Sequence, residues 1–336
     1  HHQKQLSSSM PLTTKEHSNC GSTPLVVVVT PVYNGEAYLS ETLECVQRQT
    51  YPNLAHLVLD NASTDRTSEI IREFENRQVP LVVHRNPSTL RVGDNWNAAM
   101  RLVPPEAKYV RLLCADDLME SCFIEKTVSI AETDPQILLV GSNVAVNSNK
   151  LDFKWPQNVS VVEGTSIIRG FLAGKIGYFA IHMLMRRSVL EWRDPLFDAD
   201  MLGFDFEMVL AVLDRGKFGM VHEYLGWARD HSDTLTSKVM LNKNTHYTDF
   251  LTALHRHGPK AFGQEEFARV KSRFEQHYIR KLRHWKKQGG EEAVALHREA
   301  LSKVLGPIGP RQFFFARLDA VLSRLGLRDR WTGWPN

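Results

Sequence analysis

The sequence predicts an α/β fold: a mostly parallel central sheet flanked by helices, followed by a C-terminal helical extension. Three observations carry that reading. Apolar, β-branched runs at 24–30 and 54–59 do not alternate with polar residues, which marks strands buried on both faces. Each run leads through a polar turn into a segment with apolar residues at helical spacing. Strands that alternate with helices imply parallel pairing through right-handed crossovers. From about Lys238 onward the strand signals stop, and helices rich in Arg, Lys and His follow.

The elements come in order. Residues 24–30 form the first strand, Pro31-Val32-Tyr33-Asn34-Gly35 is turn chemistry, and a helix over 36–50 carries Leu39, Leu43 and Val46 on one side. Residues 54–59 form the second strand, 60–65 a polar loop with capping residues, and 67–76 a helix with Ile70, Ile71 and Phe74 on one face. A short third strand spans 81–84, a helix 95–102, and a fourth strand 109–113. That apolar run ends in Asp116 and Asp117, which a buried strand cannot pass through, so it stops there and a helix is expected from Leu118. Further strands are read at 137–145, 183–185 and 224–228, with another element beginning near 159–163. Helices are read at 167–172, 186–190 and 208–213, and breaks in the last region at Gly258-Pro259, Gly289-Gly290 and Gly306-Pro307. The chain thus divides into 1–23, 24–237 and 238–336. His1 to about Ser9 reads as an expression-tag remnant before Met10, and the polar residues that follow to Thr23 are expected to be disordered.

Composition excludes several classes. Among 336 residues the net charge is only +3, too small to argue for nucleic acid, and no nucleic-acid motif accompanies it. The balance is uneven: between Arg256 and Arg330, 17 Lys and Arg face 8 Asp and Glu, so the basic charge lies in the C-terminal part. Cys20, Cys45, Cys114 and Cys122 show no metal-binding or CxxC spacing and read as free thiols of a reducing, cytoplasmic compartment. No run reaches the roughly 18–20 uncharged apolar residues of a membrane span. The longest, 171–185, is broken by Lys175 and His182. No GxGxxG or GxxxxGK[ST] follows the first strand, against a dinucleotide-binding domain or a P-loop.

The acid pair is the strongest chemical signal. Open α/β sheets bind ligands at the carboxyl ends of their strands. Adjacent carboxylates there repel unless a positive partner sits nearby, and Mg2+ or Mn2+ carrying a diphosphate supplies one. The alternative is a strand end with an Asp capping the next helix.

Six pieces in order resemble the inverting GT-A glycosyltransferases of family 2, over about residues 24–236: Thr30-Pro31-Val32-Tyr33-Asn34, Asp60-Asn61-Ala62-Ser63-Thr64-Asp65, Asn95-Trp96-Asn97, Cys114-Ala115-Asp116-Asp117, Gly203-Phe204-Asp205-Phe206-Glu207 and Arg229-Asp230-His231. The resemblance implies a GT-A fold and metal-dependent transfer of a sugar from a nucleotide diphosphate. The donor would be a UDP-sugar first, dTDP or GDP otherwise, and the acceptor a hydroxyl of a glycan or lipid-linked glycan in polysaccharide or glycoconjugate synthesis. It implies Asp205 as the base, with Glu207 as second choice. It implies Asp116, Asp117 and His231 as metal ligands, Asp117 alternatively as a cap. Thr30, Pro31, Tyr33, Asp60, Asn61, Asn86, Asn97 and Ala115 are implied to line the nucleotide-sugar site, with Pro31 and Tyr33 as the wall for the base. Three positions depart from the family pattern: Cys114 replaces the first DxD carboxylate, Asn61 a common Asp, and Trp96 a common Arg, for which Arg91 is a substitute. Rival readings are a sugar-phosphate nucleotidyltransferase and a non-catalytic GT-A-like binding module. The first needs a Gly-rich basic loop that 31–35 does not offer; Asp116, Asp205 and His231 together argue against the second.

Phe313, Phe314, Phe315, Leu318, Val321, Leu322, Leu325, Trp331 and Trp334 interleave with five arginines, the composition of an interfacial helix near anionic lipid. This suggests peripheral membrane contact at the inner face. The alternatives are packing back on the α/β domain and a dimer contact.

Overall fold

The computed structural model describes residues 23–231, 244–287 and 290–335. The tag and disordered-terminus expectations for 1–22, the break at Gly289 and the boundary at 237/238 lie outside the described residues. The chain runs β1 (Val26–Val32), α1 (Leu39–Gln47), β2 (Leu54–Asp60), α2 (Thr67–Arg72), β3 (Leu81–Arg85), α3 (Val92–Arg101), β4 (Tyr109–Leu112), β5 (Leu118–Met119), α4 (Phe123–Ala131), β6 (Ile137–Val146), β7 (Asn149–Lys150) and β8 (Val161–Glu163). It continues with α5 (Gly164–Leu172), β9 (Met183–Arg186), α6 (Val189–Trp192), α7 (Phe204–Leu213), β10 (Lys217–Ala228), α8 (His246–Ala261), α9 (Gln264–Lys287), α10 (Glu291–Leu305) and α11 (Pro310–Arg324).

One sheet has the order β3-β2-β1-β4-β9-β6-β10-β5, with β7 on β6 and β8 on β10. Every residue of β1 and β2 is buried, as non-alternating valine and leucine runs require when helices cover both faces. β3, β2, β1 and β4 are parallel, so their carboxyl ends share one rim. β9 runs antiparallel to both β4 and β6, and β10 is parallel to β6, which makes the sheet mixed.

Three local expectations change, one being the break expected at Gly258-Pro259, through which α8 continues to Ala261. The helix expected at Leu118 begins at Phe123, because Leu118 and Met119 pair with Trp227 and Gly226 of β10 and the Glu120 amide donates to the Leu225 carbonyl at 2.9 Å. The strand expected at 224–228 starts at Lys217; register shifts after Val221 and Tyr224 break its period. The helices after β10 share the core of the α/β part: Phe250 of α8 packs on Phe171 of α5 at 5.7 Å, and Trp331 is buried against Phe250 and Phe274. Among the described residues, no helix is long and apolar enough to cross a membrane.

Candidate active site

The first two rim loops are tied to each other. The Asn34 amide donates to Ser63 Oγ (2.9 Å), the Thr64 amide to Asn34 Oδ1 (2.9 Å), and the Gly35 amide to Thr67 Oγ1 (2.8 Å). Asn34 accepts φ +49° to make the turn, a conformation its short polar side chain tolerates. A Cβ on Gly35 would meet Val32 Cγ2 at 2.6 Å, so the loop needs glycine there. The result is a fixed rim with Pro31 buried beneath and Tyr33 51% exposed on it.

Several residues expected to meet the nucleotide spend their side chains inside the protein. The Thr30 hydroxyl pairs with His56 Nε2 at 2.8 Å, a histidine that burial keeps neutral with its pKa lowered to about 3. Asp60 is buried; its carboxylate accepts the Ser63 amide (2.9 Å) and Ser68 Oγ (3.2 Å) and pairs with Arg85. Asn97 clamps the Phe197 main chain at both ends of its amide, each 2.9 Å. Each of these three polar groups finds its partner within the chain, as buried polar groups must. Asn61 holds Leu90 main chain through Nδ2 and Oδ1, both 2.9 Å, while Asn86 Nδ2 bridges Asn61 Oδ1 (2.8 Å) and Asn95 Oδ1 (2.9 Å). This amide cluster fixes the 86–91 loop beside the rim.

The adjacent acids have opposite surroundings. Arg111, fully buried in β4, donates to His182 Nδ1 at 3.2 Å. Arginine has no acceptor, so Nδ1 is unprotonated and His182 Nε2 carries the hydrogen toward Asp117 Oδ2 at 3.1 Å. Burial lowers the His182 pKa, in keeping with that neutral tautomer. Asp117 Oδ1 accepts the Arg229 amide at 3.0 Å. Both Asp117 oxygens are therefore engaged within the chain, and Asp117 pins 229–231 against the rim. Thr42 of α1 fixes the same turn by donating to the Ala115 and Asp117 carbonyls, both 3.0 Å.

Asp116 is half-buried and faces the site. Its Oδ2 lies 3.1 Å from His231 Nε2. Burial raises its pKa, and the neighbouring Asp117 charge adds to this. Cys114 Sγ lies within 4.8 Å of the carboxylate oxygens of Asp116 and Asp117. Burial and the two acids push the Cys114 thiol well above its ordinary value, so it stays protonated and is a poor ligand for a hard cation. A half-buried carboxylate short of positive charge, with an imidazole converging on it, fits a divalent ion held by few protein ligands plus phosphate oxygens. Asp116 and His231 are the residues that would hold it.

Asp205 lies in the first turn of α7, half-buried, with Oδ1 accepting the Phe206 amide at 2.9 Å. Burial raises its pKa, against the lowering effect of that amide. Its charge is the smallest of those that raise the Cys114 thiol. Two contacts hold its turn: the Gly203 amide donates to Asp249 Oδ2 at 2.7 Å, and the Tyr178 hydroxyl to the Phe206 carbonyl at 3.0 Å. Burial pushes Asp249 up to about 6. Glu207, named as second-choice base, is 1% exposed and bound by Arg193 (2.7 Å), Arg256 (2.9 Å) and His257 (3.0 Å). Burial alone would raise its pKa; the His257 hydrogen bond and the two guanidinium charges overrule that and lower it to about 2. It is corrected to a buried anchor, since a carboxylate so stabilised takes no proton near neutral pH.

Sequence reasoning missed Asp249, Tyr178 and Arg111. Only Arg111 left a readable signal, a charge in the middle of the apolar run that makes β4. Asp249 comes from a helix read only as part of a basic extension.

A mixed α/β sheet with tied rim loops, a half-buried carboxylate facing an imidazole, and a second carboxylate on the first turn of a helix is the arrangement of GT-A glycosyltransferase domains. The family model for "Glycosyl transferase family 2" matches residues 27–193, and the chain belongs to that family. A glycosyltransferase of Haemophilus influenzae is 30% identical over 128 residues, covering 38% of either chain. The Bacillus subtilis protein TuaG, named as a teichuronic acid biosynthesis glycosyltransferase, is 30% identical over 105 residues, 31% of this chain and 40% of TuaG. The chain thus spans about two fifths of the length of these relatives. The S. aureus TarS 1-349 complex with UDP-GlcNAc superposes with a TM-score of 0.62 at 14% identity, covering 91% of this chain and 93% of TarS 1-349. The mannosyltransferase PcManGT of Pyrobaculum calidifontis, in complex with GDP-Man and Mn2+, gives 0.55 at 16% identity, covering 91% and 84%. At these identities the likeness is one of fold.

Proposed function

We propose that this protein is an inverting, metal-dependent glycosyltransferase that moves a sugar from a nucleotide-diphosphate sugar to a hydroxyl of a glycan or lipid-linked glycan, in polysaccharide or glycoconjugate synthesis. The observation that carries this is a pair of half-buried carboxylates, Asp205 on the first turn of α7 and Asp116 at the end of the β4 run, each with its pKa raised by burial, with His231 Nε2 3.1 Å from Asp116. Asp205 accepts the acceptor hydroxyl's proton as the oxygen attacks the anomeric carbon, and the bond from that carbon to the diphosphate breaks on the opposite face. Asp249 and Tyr178 keep the Asp205 turn in place during attack. Asp116 and His231 would hold Mg2+ or Mn2+, which supplies positive charge to the departing diphosphate. Tyr33, with Pro31 buried beneath it, offers the surface for the base, and Asn61, Asn86 and Ala115 shape the wall beside it. The donor is UDP-linked first, dTDP- or GDP-linked otherwise; the TarS complex with UDP-GlcNAc and the PcManGT complex with GDP-Man and Mn2+ support donors of this kind. The described cysteines Cys45, Cys114 and Cys122 are free thiols, in keeping with the cytoplasm as the site of action.

A thermal-shift screen of UDP-, dTDP- and GDP-sugars with and without Mn2+ tests the reading. One nucleotide class should raise Tm by several degrees only when Mn2+ is present. No shift with any donor, in the presence of the ion, refutes it.

A further inference from the structure

α11 is turned the wrong way round for a helix packed on a globular protein. Its inner face, against α9, carries Ala316, Asp319 and Ala320, and Asp319 pairs there with Arg280 at 2.6 Å and with Arg328 at 3.1 Å. Its outer face carries Phe314, Leu318, Val321 and Leu325, all exposed, Phe314 by 63% and Leu325 by 66%. At 100° per residue these four lie within a wedge of about 60°. Arg311, Arg317 and Arg324 border the ridge and are exposed, and exposed Leu327 extends it past the helix end. A contiguous apolar ridge facing outward, with the polar pairs facing in, marks a surface that something apolar covers.

Charge says what covers it. A cleft of 250 Å³ between α9 and α11 is lined by Arg280, Arg283, His284, Lys287, Phe313 and Arg317, with no acid in its lining. Arg283, Lys287 and Arg317 form no ion pair among the described residues. A second copy fits poorly, because a two-fold contact through the ridge sets arginines against arginines. We propose that α11 docks on an anionic membrane surface, with Phe314, Leu318, Val321 and Leu325 entering the headgroup–acyl boundary, the arginines on lipid phosphates, and the cleft taking one phosphate-bearing headgroup. The inference is independent of the transfer reaction, because vesicle binding requires neither donor nor metal.

The test is co-sedimentation of the full chain with extruded vesicles, either phosphatidylcholine alone or with one third phosphatidylglycerol. Binding is expected to the anionic vesicles at low salt, weaker at high salt, and absent from neutral ones. Leu318→Glu with Leu325→Glu should abolish pelleting while leaving Tm unchanged, since both positions are exposed. Arg311→Gln with Arg317→Gln and Arg324→Gln should weaken it by about 100-fold. Absence of pelleting, equal pelleting with neutral vesicles, or retention by the double glutamate variant overturns the proposal. So does a dimer in light scattering that Leu318→Glu converts to monomer without any vesicle binding.

Discussion

Glu207→Gln separates anchoring from catalysis within one turn of helix. The substitution keeps the shape of the side chain but removes the charge that Arg193, Arg256 and His257 surround. In the folded protein the Glu207 pKa falls from 4.5 to about 2, so ionisation there stabilises the fold by about 3 kcal/mol at neutral pH. The amide also turns an NH2 toward the guanidinium groups; Arg193 loses its carboxylate partner, while Arg256 keeps Asp198 at 3.1 Å. The expected outcome is a loss of about 3 kcal/mol by urea unfolding at pH 7.5, with Tm lower by about 4 °C. The sign with pH follows from the lowered folded pKa: the stabilisation is present above about 4.5 and is lost as pH falls toward about 2, so the gap between wild type and variant closes over that window. Measured well below its Tm, the variant should keep turnover within a few-fold of wild type. A variant as stable as wild type, or one that stays folded yet loses turnover by more than about 100-fold, would refute the anchor assignment.

Other outcomes are accessible with the same protein. Asp205→Asn should bind donor with nearly unchanged affinity and lose turnover by about 100-fold or more; unchanged turnover would move the base elsewhere. Asp116→Ala should remove the Mn2+ dependence of donor affinity in a calorimetric titration, and a retained dependence would shift the ion to other ligands. Asp249→Asn keeps an acceptor for the Gly203 amide and removes a carboxyl whose pKa is pushed up to about 6. That group is harder to ionise folded than unfolded, so its contribution falls as pH rises from about 4 to 6. The variant should therefore gain stability relative to wild type across that range, as urea midpoints at both pH values would register. His182→Ala should loosen Asp117 and with it the 229–231 segment, weakening metal-dependent donor binding more than Tm.

The parallel half of the sheet was readable because buried strands need apolar residues at every position, and β1 and β2 have them. The direction of β9 was not, since Met-Leu-Met reads the same in either orientation and both neighbours come from distant sequence. β5 is two residues long and exists only because β10 arrives beside it, so no local pattern announces it. The acid pair was legible as a rim, but the division of labour within it was not. Asp117 is claimed by His182, 65 residues later, and by the Arg229 main chain, 112 residues later. Thr30 and Asn97 went the same way: a hydroxyl or amide looks equally ready for a ligand or for a buried partner until the partner is in place. Asp205 was found through motif order, whereas its support from Asp249 spans 46 residues and lies in a helix whose composition says only that it is amphipathic.

That support has an evolutionary reading. α8 supplies Asp249 to the turn before Asp205, and Arg256 and His257 to Glu207, so the C-terminal helices reach directly into the setting of the proposed proton acceptor. Grafting these helices from one relative onto another therefore exchanges more than a surface: the graft also inherits responsibility for aiming Asp205, the group proposed to activate the acceptor hydroxyl. Swapped hybrids should work only where the residues contributed by α8 and the first turn of α7 travel as a matched set.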